Sequence, residues 1–142
     1  MPMKNIALIL ISFLLYSCAT LPPRQAVQLP SQDITTQAPQ GKNRVVFFND
    51  SGFLNYFPVQ ITIDGKYMGQ IRKREYMQLF LPKGTYKVKL LHNDLFSIKS
   101  NHTINITDNS YLEIKSGPID HDLTIKDKPS NFDADFRYAY WE

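Results

Sequence analysis

The feature that most constrains the fold is an alternation of apolar and polar side chains with a period of two, which begins near Arg44. In residues 59–63 (VQITI) and 86–90 (YKVKL), every second side chain is apolar. Successive side chains of a strand point to opposite faces, so this period predicts strands that each bury one face. We therefore expect an all-β chain of roughly seven to nine short strands, folded as a small antiparallel β-sandwich of immunoglobulin-like type.

Four local patterns refine this expectation. The continuous apolar run at residues 45–48 (VVFF) predicts a strand that is buried on both faces. Asp64-Gly65 lies between two alternating segments and predicts a tight hairpin, because Gly readily adopts positive φ. Residues 123–125 are expected to form a short strand, and residues 136–141 (FRYAYW) a last one.

The N-terminus has a different pattern, that of an export signal. Lys4 precedes an apolar run at residues 6–15 (IALILISFLL) that is interrupted by Ser12 alone. This run is far shorter than the roughly 20 residues that a helix needs to span a bilayer. A buried helix would need an apolar partner face, which the polar, Pro-rich segment that follows does not offer. We expect residues 1–17 to be a signal peptide.

Leu15-Tyr16-Ser17-Cys18 resembles the bacterial lipobox, although Tyr16 departs from the small or branched residue usual there. In such proteins the cysteine thiolate takes a diacylglycerol, and cleavage before the cysteine frees an amine for a further acyl chain. Two or more chains hold a protein stably at a membrane. The resemblance thus implies cleavage between Ser17 and Cys18 and lipidation of Cys18; the alternative is an ordinary secretory signal with an incidental cysteine. Ala19 and Thr20, where Asp would favour inner-membrane retention, imply the outer membrane.

Residues 18–42 are expected to be a flexible tether between the lipidated cysteine and a folded domain at residues 43–142. The tether is rich in glutamine and carries Pro22, Pro23, Pro30 and Pro39. Its few apolar residues follow no period, so it cannot bury enough surface to offset the entropy of ordering. We expect the folded domain to stand clear of the membrane.

Two further segments carry a family resemblance. Residues 61–69 (ITIDGKYMG) and 81–90 (LPKGTYKVKL) resemble the PEGA-type β-sandwich module, and residues 45–58 match the aromatic strand and loop near its start. The chain is also similar to a family of bacterial lipoproteins that carries such a module and is classed as a domain of unknown function. The resemblance spans roughly residues 44–116. Because the shared residues form turns and core, it implies a fold and an envelope location and no catalytic residues.

Charge is unevenly distributed along the chain. The formal net charge is only +3, and export removes a protein from the compartment that holds nucleic acid, so we expect no nucleic-acid partner. Seven basic residues against one acid lie between Lys66 and Lys89, among them Arg72, Lys73 and Arg74. These basic hairpins are either ordinary solvated strand faces or contacts to an anionic ligand such as a lipid headgroup or lipopolysaccharide.

No constellation of residues indicates catalysis. His92, His102 and His121 are scattered and lack metal-ligand spacing, and we interpret Asp120-His121-Asp122 as a solvated loop. No phosphate-binding glycine loop or nucleophile elbow is present. We expect a non-enzymatic protein without a metal or cofactor.

Aromatic residues are the remaining candidates for ligand contacts. Those near the start of the domain and at its C-terminus are Phe53, Tyr56, Phe57, Tyr138, Tyr140 and Trp141. In a sandwich this small, such residues more commonly fill the core or protect a strand edge. Trp141 would lie opposite Tyr138 and Tyr140 on a strand, which favours an exposed contact. The leading hypothesis is a lipid-anchored module that binds or assembles with another envelope protein. The alternative is a module that binds peptidoglycan or lipopolysaccharide through the basic hairpins and exposed aromatics.

Overall fold

The computed structural model describes residues 37–52, 57–92 and 97–139 of the chain. The expected signal peptide, Ser17, Cys18 and nearly all of the expected tether lie outside these residues. Phe53, Tyr56, Tyr140 and Trp141 also lie outside them. No helix within the described ranges is long and apolar enough to cross a membrane.

The described residues form nine strands and one short helix. The strands are β1 (Asn43–Asn49), β2 (Val59–Ile63), β3 (Lys66–Ile71), β4 (Glu75–Leu81), β5 (Gly84–His92), β6 (Ile98–Ile106), β7 (Ser110–Ser116), β8 (His121–Lys126) and β9 (Arg137–Tyr138). The helix, α1, spans Phe132–Asp135. The first strand begins at Asn43, the residue at which the folded domain was expected to start.

The strands form a β-sandwich of two sheets, which confirms the predicted fold. A five-stranded sheet has the order β8-β7-β1-β4-β9, and a four-stranded sheet has the order β3-β2-β5-β6. Most neighbouring strands are antiparallel, but β1 with β7 and β4 with β9 are parallel. Strand periodicity does not specify a strand's partner, so these parallel pairs could not be read from the alternation of side chains.

The core between the sheets is built from the alternating apolar positions. Ile61 of β2, Leu90 of β5 and Leu112 of β7 are fully buried there. The remaining buried residues of this core are Val45, Phe47, Val59, Ile63, Ile71, Met77, Leu79, Val88, Ile104, Ile106, Ile114 and Ala139. Burying a side chain of this size contributes about 1.5–3 kcal/mol, so this core is the main source of stability.

The β2–β3 hairpin turns at Asp64-Gly65 as predicted. Both residues have positive φ, +47° and +81°, as a two-residue type I′ turn requires. The Asp64 carboxylate accepts a hydrogen bond from the Lys87 amide at 2.8 Å, and the Asp64 amide donates to the Lys87 carbonyl at 2.9 Å. The turn is therefore also fixed to β5.

A second apolar cluster lies on the outer face of the five-stranded sheet. Val46 and Phe48 point to this face, while Val45 and Phe47 point to the core, so residues 45–48 are buried on both faces as predicted. Phe132 of α1 covers the face, with ring centroids 5.5 Å from Phe48 and 5.2 Å from Tyr111. We call Val46, Phe48, Tyr111, Phe132 and Phe136, with the partly buried Tyr76, the outer cluster.

The C-terminal region differs from the prediction of a single strand at residues 136–141. Phe136 ends α1 and packs in the outer cluster, and the described part of β9 is only Arg137–Tyr138. A four-residue helix is too short to show a helical period in sequence. The predicted strand at residues 123–125 is present as β8, although Ile125 is 47% exposed.

Candidate functional site

The two ends of the sandwich can be told apart by the direction of the strands. Strands β1, β3, β5 and β7 finish at the same end at which β2, β4, β6 and β8 begin. We call this the loop end. The opposite end, where the chain enters the sandwich at Asn43, is the entry end; there the Arg44 amide donates to Asn109 Oδ1 at 2.8 Å. A tether that precedes Asn43 would therefore join the domain far from the loop end.

Two large apolar side chains are exposed at the loop end. Phe57, just before β2, is 49% exposed, and Ile119, between β7 and β8, is 85% exposed. The centroid of the Phe57 ring lies 5.9 Å from that of His92, which is the last residue of β5. His92 in turn lies 5.8 Å from His121, at the start of β8. Phe57 thus contacts one member of a buried histidine pair, and Ile119 lies two residues before the other member in the chain.

The histidine pair corrects an expectation drawn from the sequence. His92 and His121 are distant in the sequence, but the fold brings their rings together, and they are only 2% and 1% exposed. The interpretation of Asp120-His121-Asp122 as a solvated loop was wrong for His121, which is the first residue of β8. Asp120 and Asp122 are exposed, and the alternation of a strand places His121 on the opposite face. The pairing of β7 with β8 creates this burial, which no local pattern reveals.

A hydrogen-bond network holds the loop end together. The buried Ser51 hydroxyl donates to Asn49 Oδ1 and lies 3.1 Å from Ser116 Oγ. The Ser116 amide donates back to Ser51 Oγ at 2.9 Å. Asn49 Nδ2 also donates to the Ile71 carbonyl at 3.5 Å. These contacts join the ends of β1, β3 and β7, so the residues that flank the loop end rest on a rigid base.

The basic turn at residues 72–74 connects the two sheets at the loop end. The Glu75 carboxylate accepts a hydrogen bond from the Arg72 amide at 2.8 Å. Arg74 adopts φ +60°, a value more usual for glycine. Its guanidinium pairs with Asp50 at 3.2 Å and lies 5.4 Å from the centre of the Phe136 ring. Arg72, Lys73 and Arg74 were the three basic residues predicted to contact a ligand. Lys73 is partly buried and Arg74 is paired, whereas Arg72 is exposed and has no described ion pair.

The outer face of the four-stranded sheet is a second region of interest. Lys87 and Lys89 of β5 and Lys99 of β6 are exposed on it. Lys99 lies outside the basic run between Lys66 and Lys89, and charge along the chain does not show which residues are neighbours across a sheet. Tyr67 lies at the β3 side of this face, opposite Thr62, and partial burial raises the pKa of its hydroxyl. We call this surface the lysine face.

A groove of about 760 Å³ lies on the outer face of the five-stranded sheet, beside the outer cluster. Its lining includes Phe48, Glu113, Lys126, Lys128 and Phe136. Its lysines are already paired: Lys126 Nζ lies 2.6 Å from Glu113, and Lys128 Nζ lies 2.7 Å from Asp133. An anionic ligand would have to displace these contacts, so the groove is a weak candidate for an anion-binding site.

The described residues contain no group of three or more His, Cys, Asp or Glu side chains that could hold a metal ion. Tyr138 packs against Tyr76 at 5.3 Å between ring centroids, so it contributes to the fold. Trp141 and Cys18 lie outside the described residues, and their roles stay predictions.

The chain matches no protein-family model, and no curated protein is detectably similar to it. The resemblance to PEGA-type lipoproteins therefore stays a prediction from the motifs. What the structure establishes is the β-sandwich, with exposed apolar residues at one end and a lysine face on one side.

Proposed function

We propose that this protein is a lipid-anchored, non-enzymatic module of the cell envelope that docks onto another envelope protein through the loop end of its β-sandwich. The anchor is Cys18, acylated after cleavage behind Ser17, and the membrane is the outer membrane. This part of the proposal rests on the export signal and the lipobox-like residues.

The observation that carries the docking surface is the exposure of Phe57 and Ile119 at the end opposite Asn43. Single exposed apolar residues are common on protein surfaces. Phe57, however, contacts His92, which packs against His121, and Ile119 lies two residues before His121, so both belong to the loop end. Aromatic residues are enriched in protein interfaces, and an exposed ring on a rigid scaffold can bind with little loss of conformational entropy.

The position of the loop end also suits a tethered protein. A chain that is anchored through residues before Asn43 is attached at the entry end, so the tether leaves the loop end free to contact a partner. The exposed Arg72 adds a cation beside the apolar residues. Arg is favoured in interfaces because its planar guanidinium can form two parallel hydrogen bonds with a carboxylate. A partner with an apolar patch and an adjacent acid would fit this surface.

Site-specific photo-crosslinking in cells of the source organism tests the docking surface. A photoreactive residue at Ile119 should give one discrete crosslinked protein, whereas the same residue at Asp108, exposed at the entry end, should not. Adding Phe57→Ser should reduce the Ile119 product about fivefold or more, as expected for a residue worth over 1 kcal/mol. Equal crosslinking from Ile119 and Asp108, or no effect of Phe57→Ser, would contradict the proposal.

The anchor is tested separately. Metabolic labelling with a fatty acid should acylate the wild-type chain and leave Cys18→Ser unlabelled, because Cys18 is the chain's one cysteine. Cys18→Ser should also accumulate as the uncleaved precursor. Labelling of Cys18→Ser, or normal processing of it, would show that Cys18 is an incidental cysteine behind an ordinary signal.

A further inference from the structure

The lysine face is basic, and the one described acid in contact with it is Asp64, in the β2–β3 turn, whose carboxylate accepts a hydrogen bond from the Lys87 amide. None of the four strands that build it contains Asp or Glu. Strand alternation and the cross-strand register place twelve side chains on its surface. These are Gln60, Thr62, Tyr67, Gln70, Thr85, Lys87, Lys89, Leu91, Lys99, Asn101, Thr103 and Asn105.

The three lysines lie close to one another. Lys87 and Lys89 are two residues apart on β5, which separates their Cα atoms by about 7 Å. Lys89 is opposite Asn101 on β6, so Lys99 is its diagonal neighbour on the same face, again roughly 7–8 Å away. Like charges at this spacing repel each other. Asp64 lies beside Lys87 at the end of the face, but no strand of the face supplies an acid beside Lys89 and Lys99. An anionic ligand would relieve this repulsion.

These lysines also differ from those of the other sheet in how they are paired. Lys115, Lys126 and Lys128 each lie within 3.5 Å of a carboxylate oxygen. Among the described residues, Lys87, Lys89 and Lys99 form no ion pair, and all three are exposed. An anion that binds them therefore has no intramolecular partner to displace.

The neutral residues between the lysines indicate the kind of anion. Gln60, Gln70 and Asn101 carry amides that both donate and accept hydrogen bonds, and the threonines carry hydroxyls that do the same. These groups match the hydroxyls of a sugar. A protein partner is a poorer match, because interface cores are enriched in aromatic residues and depleted in lysine. The face offers only the partly buried Tyr67 and Leu91 as apolar contacts.

We propose that the lysine face binds an anionic glycan. Lys87, Lys89 and Lys99 contact its carboxylate or phosphate groups, and the amide and hydroxyl side chains between them bind its sugar hydroxyls. This surface uses neither Phe57 nor Ile119, so it is a second binding surface that is independent of the docking proposed at the loop end.

The test measures binding of fluorescent oligogalacturonate, which carries a carboxylate on every sugar, to the full chain in nanodiscs of neutral phosphatidylcholine. We expect saturable binding that weakens as salt is added, because exposed charges are screened. A neutral malto-oligosaccharide of the same length should bind much more weakly. No binding of oligogalacturonate, or equal binding of the neutral oligosaccharide, would overturn the proposal.

Two triple variants locate the site. Lys87→Gln/Lys89→Gln/Lys99→Gln should weaken oligogalacturonate binding about tenfold, the sum expected of three exposed ion pairs. Lys115→Gln/Lys126→Gln/Lys128→Gln changes the net charge equally on the opposite sheet and should leave binding within about twofold of wild type. Circular dichroism checks that both variants fold. Equal losses in the two variants would mean that net charge alone attracts the ligand, and would overturn the assignment to this face.

A third variant separates a glycan from an anionic membrane. Gln60→Ala/Asn101→Ala keeps every lysine, so it should reduce oligogalacturonate binding and leave any cosedimentation with phosphatidylglycerol vesicles unchanged. Tighter binding to these vesicles than to oligogalacturonate, with no effect of the amide substitutions, would assign the face to lipid headgroups and overturn the proposal. Phe57→Ser should not alter glycan binding, so a failure of the docking proposal would be seen independently.

Discussion

The outer faces of the two sheets differ in whether aromatic side chains cover them. On the five-stranded sheet, Phe132 and Phe136 cover an apolar patch centred on Phe48, and the neighbouring Lys126 and Lys128 form ion pairs. Among the described residues nothing comparable covers the lysine face of the four-stranded sheet, and its three exposed lysines have no described ion pair. The comparison indicates that the first face contributes to stability and that the second is available to a ligand.

The largest expected effect comes from removing the ring that covers the five-stranded sheet. Phe132 is fully buried and lies 5.1–5.5 Å, between ring centroids, from Phe48, Tyr76, Tyr111 and Phe136. Phe132→Ala should reduce the free energy of unfolding by about 3–5 kcal/mol, because it removes contacts and leaves a cavity. Urea-induced unfolding measures the change.

Leu91→Ala is the matched variant on the lysine face. Leu91 is only partly buried, so its truncation should cost less than about 1.5 kcal/mol. If Phe132→Ala prevents folding, Phe132→Leu retains much of the volume and should cost less than the alanine variant. Similar losses for Phe132→Ala and Leu91→Ala would remove the contrast between the two faces.

The second prediction concerns the charges of the two faces. The nearly buried Glu113 carboxylate lies 2.6 Å from Lys126 Nζ and 3.5 Å from Lys115 Nζ. Glu113→Gln keeps the shape but removes the charge, and should cost about 1–2 kcal/mol because charge-assisted hydrogen bonds are lost. Lys89→Gln, which removes an unpaired charge, should change stability by less than about 0.5 kcal/mol. A larger loss of unfolding free energy from Lys89→Gln would show that the charges of the lysine face contribute to the stability of the fold.

The sequence was informative where structure is local. The alternation at Ile61, Ile63 and Leu90 correctly predicted the inner face of the core, and Asp64-Gly65 correctly predicted a hairpin. Both results follow from φ preferences and from the geometry of one strand. The fold class follows in turn, since many short alternating strands can bury their apolar faces only against another sheet.

The features that were missed depend on contacts between distant segments. The run at residues 45–48 indicated burial on both faces, but not that Phe132 would provide the cover. The burial of His121 beside His92 depends on how β8 is paired, and the role of Lys99 depends on its position beside β5. Local patterns contain no information about which distant residue lies across a sheet.

The third prediction concerns pH and Tyr67. Burial raises the pKa of Tyr67 above its usual value of 10.0, so the folded state retains the hydroxyl proton at a pH where the unfolded chain loses it. The resulting stabilisation is present below about pH 10 and is lost as pH rises through the folded-state pKa. Unfolding free energies of wild type and Tyr67→Phe, compared from neutral to high pH, should diverge above pH 10, with wild type losing more stability. Parallel curves would show that Tyr67 is as solvated as in the unfolded chain.

The smallest expected effect tests whether charge or aromatic packing holds the C-terminal segment on the five-stranded sheet. Lys128 Nζ lies 2.7 Å from Asp133 Oδ2, a contact that raises the pKa of Lys128, and 5.8 Å from the centre of the Phe132 ring. Both partners of this ion pair are solvent-exposed, so Lys128→Met should reduce stability by less than about 0.5 kcal/mol. Urea-induced unfolding at low and high salt measures it, and the small difference should disappear at high salt because exposed pairs are screened. A loss near that of Phe132→Ala would mean that the ion pair, and not the buried ring, fixes α1 to the sheet. Exposed ion pairs would then be important on both faces. The faces would differ only in the partner of the lysines, which is an acid of the same chain on the five-stranded sheet and a ligand on the lysine face.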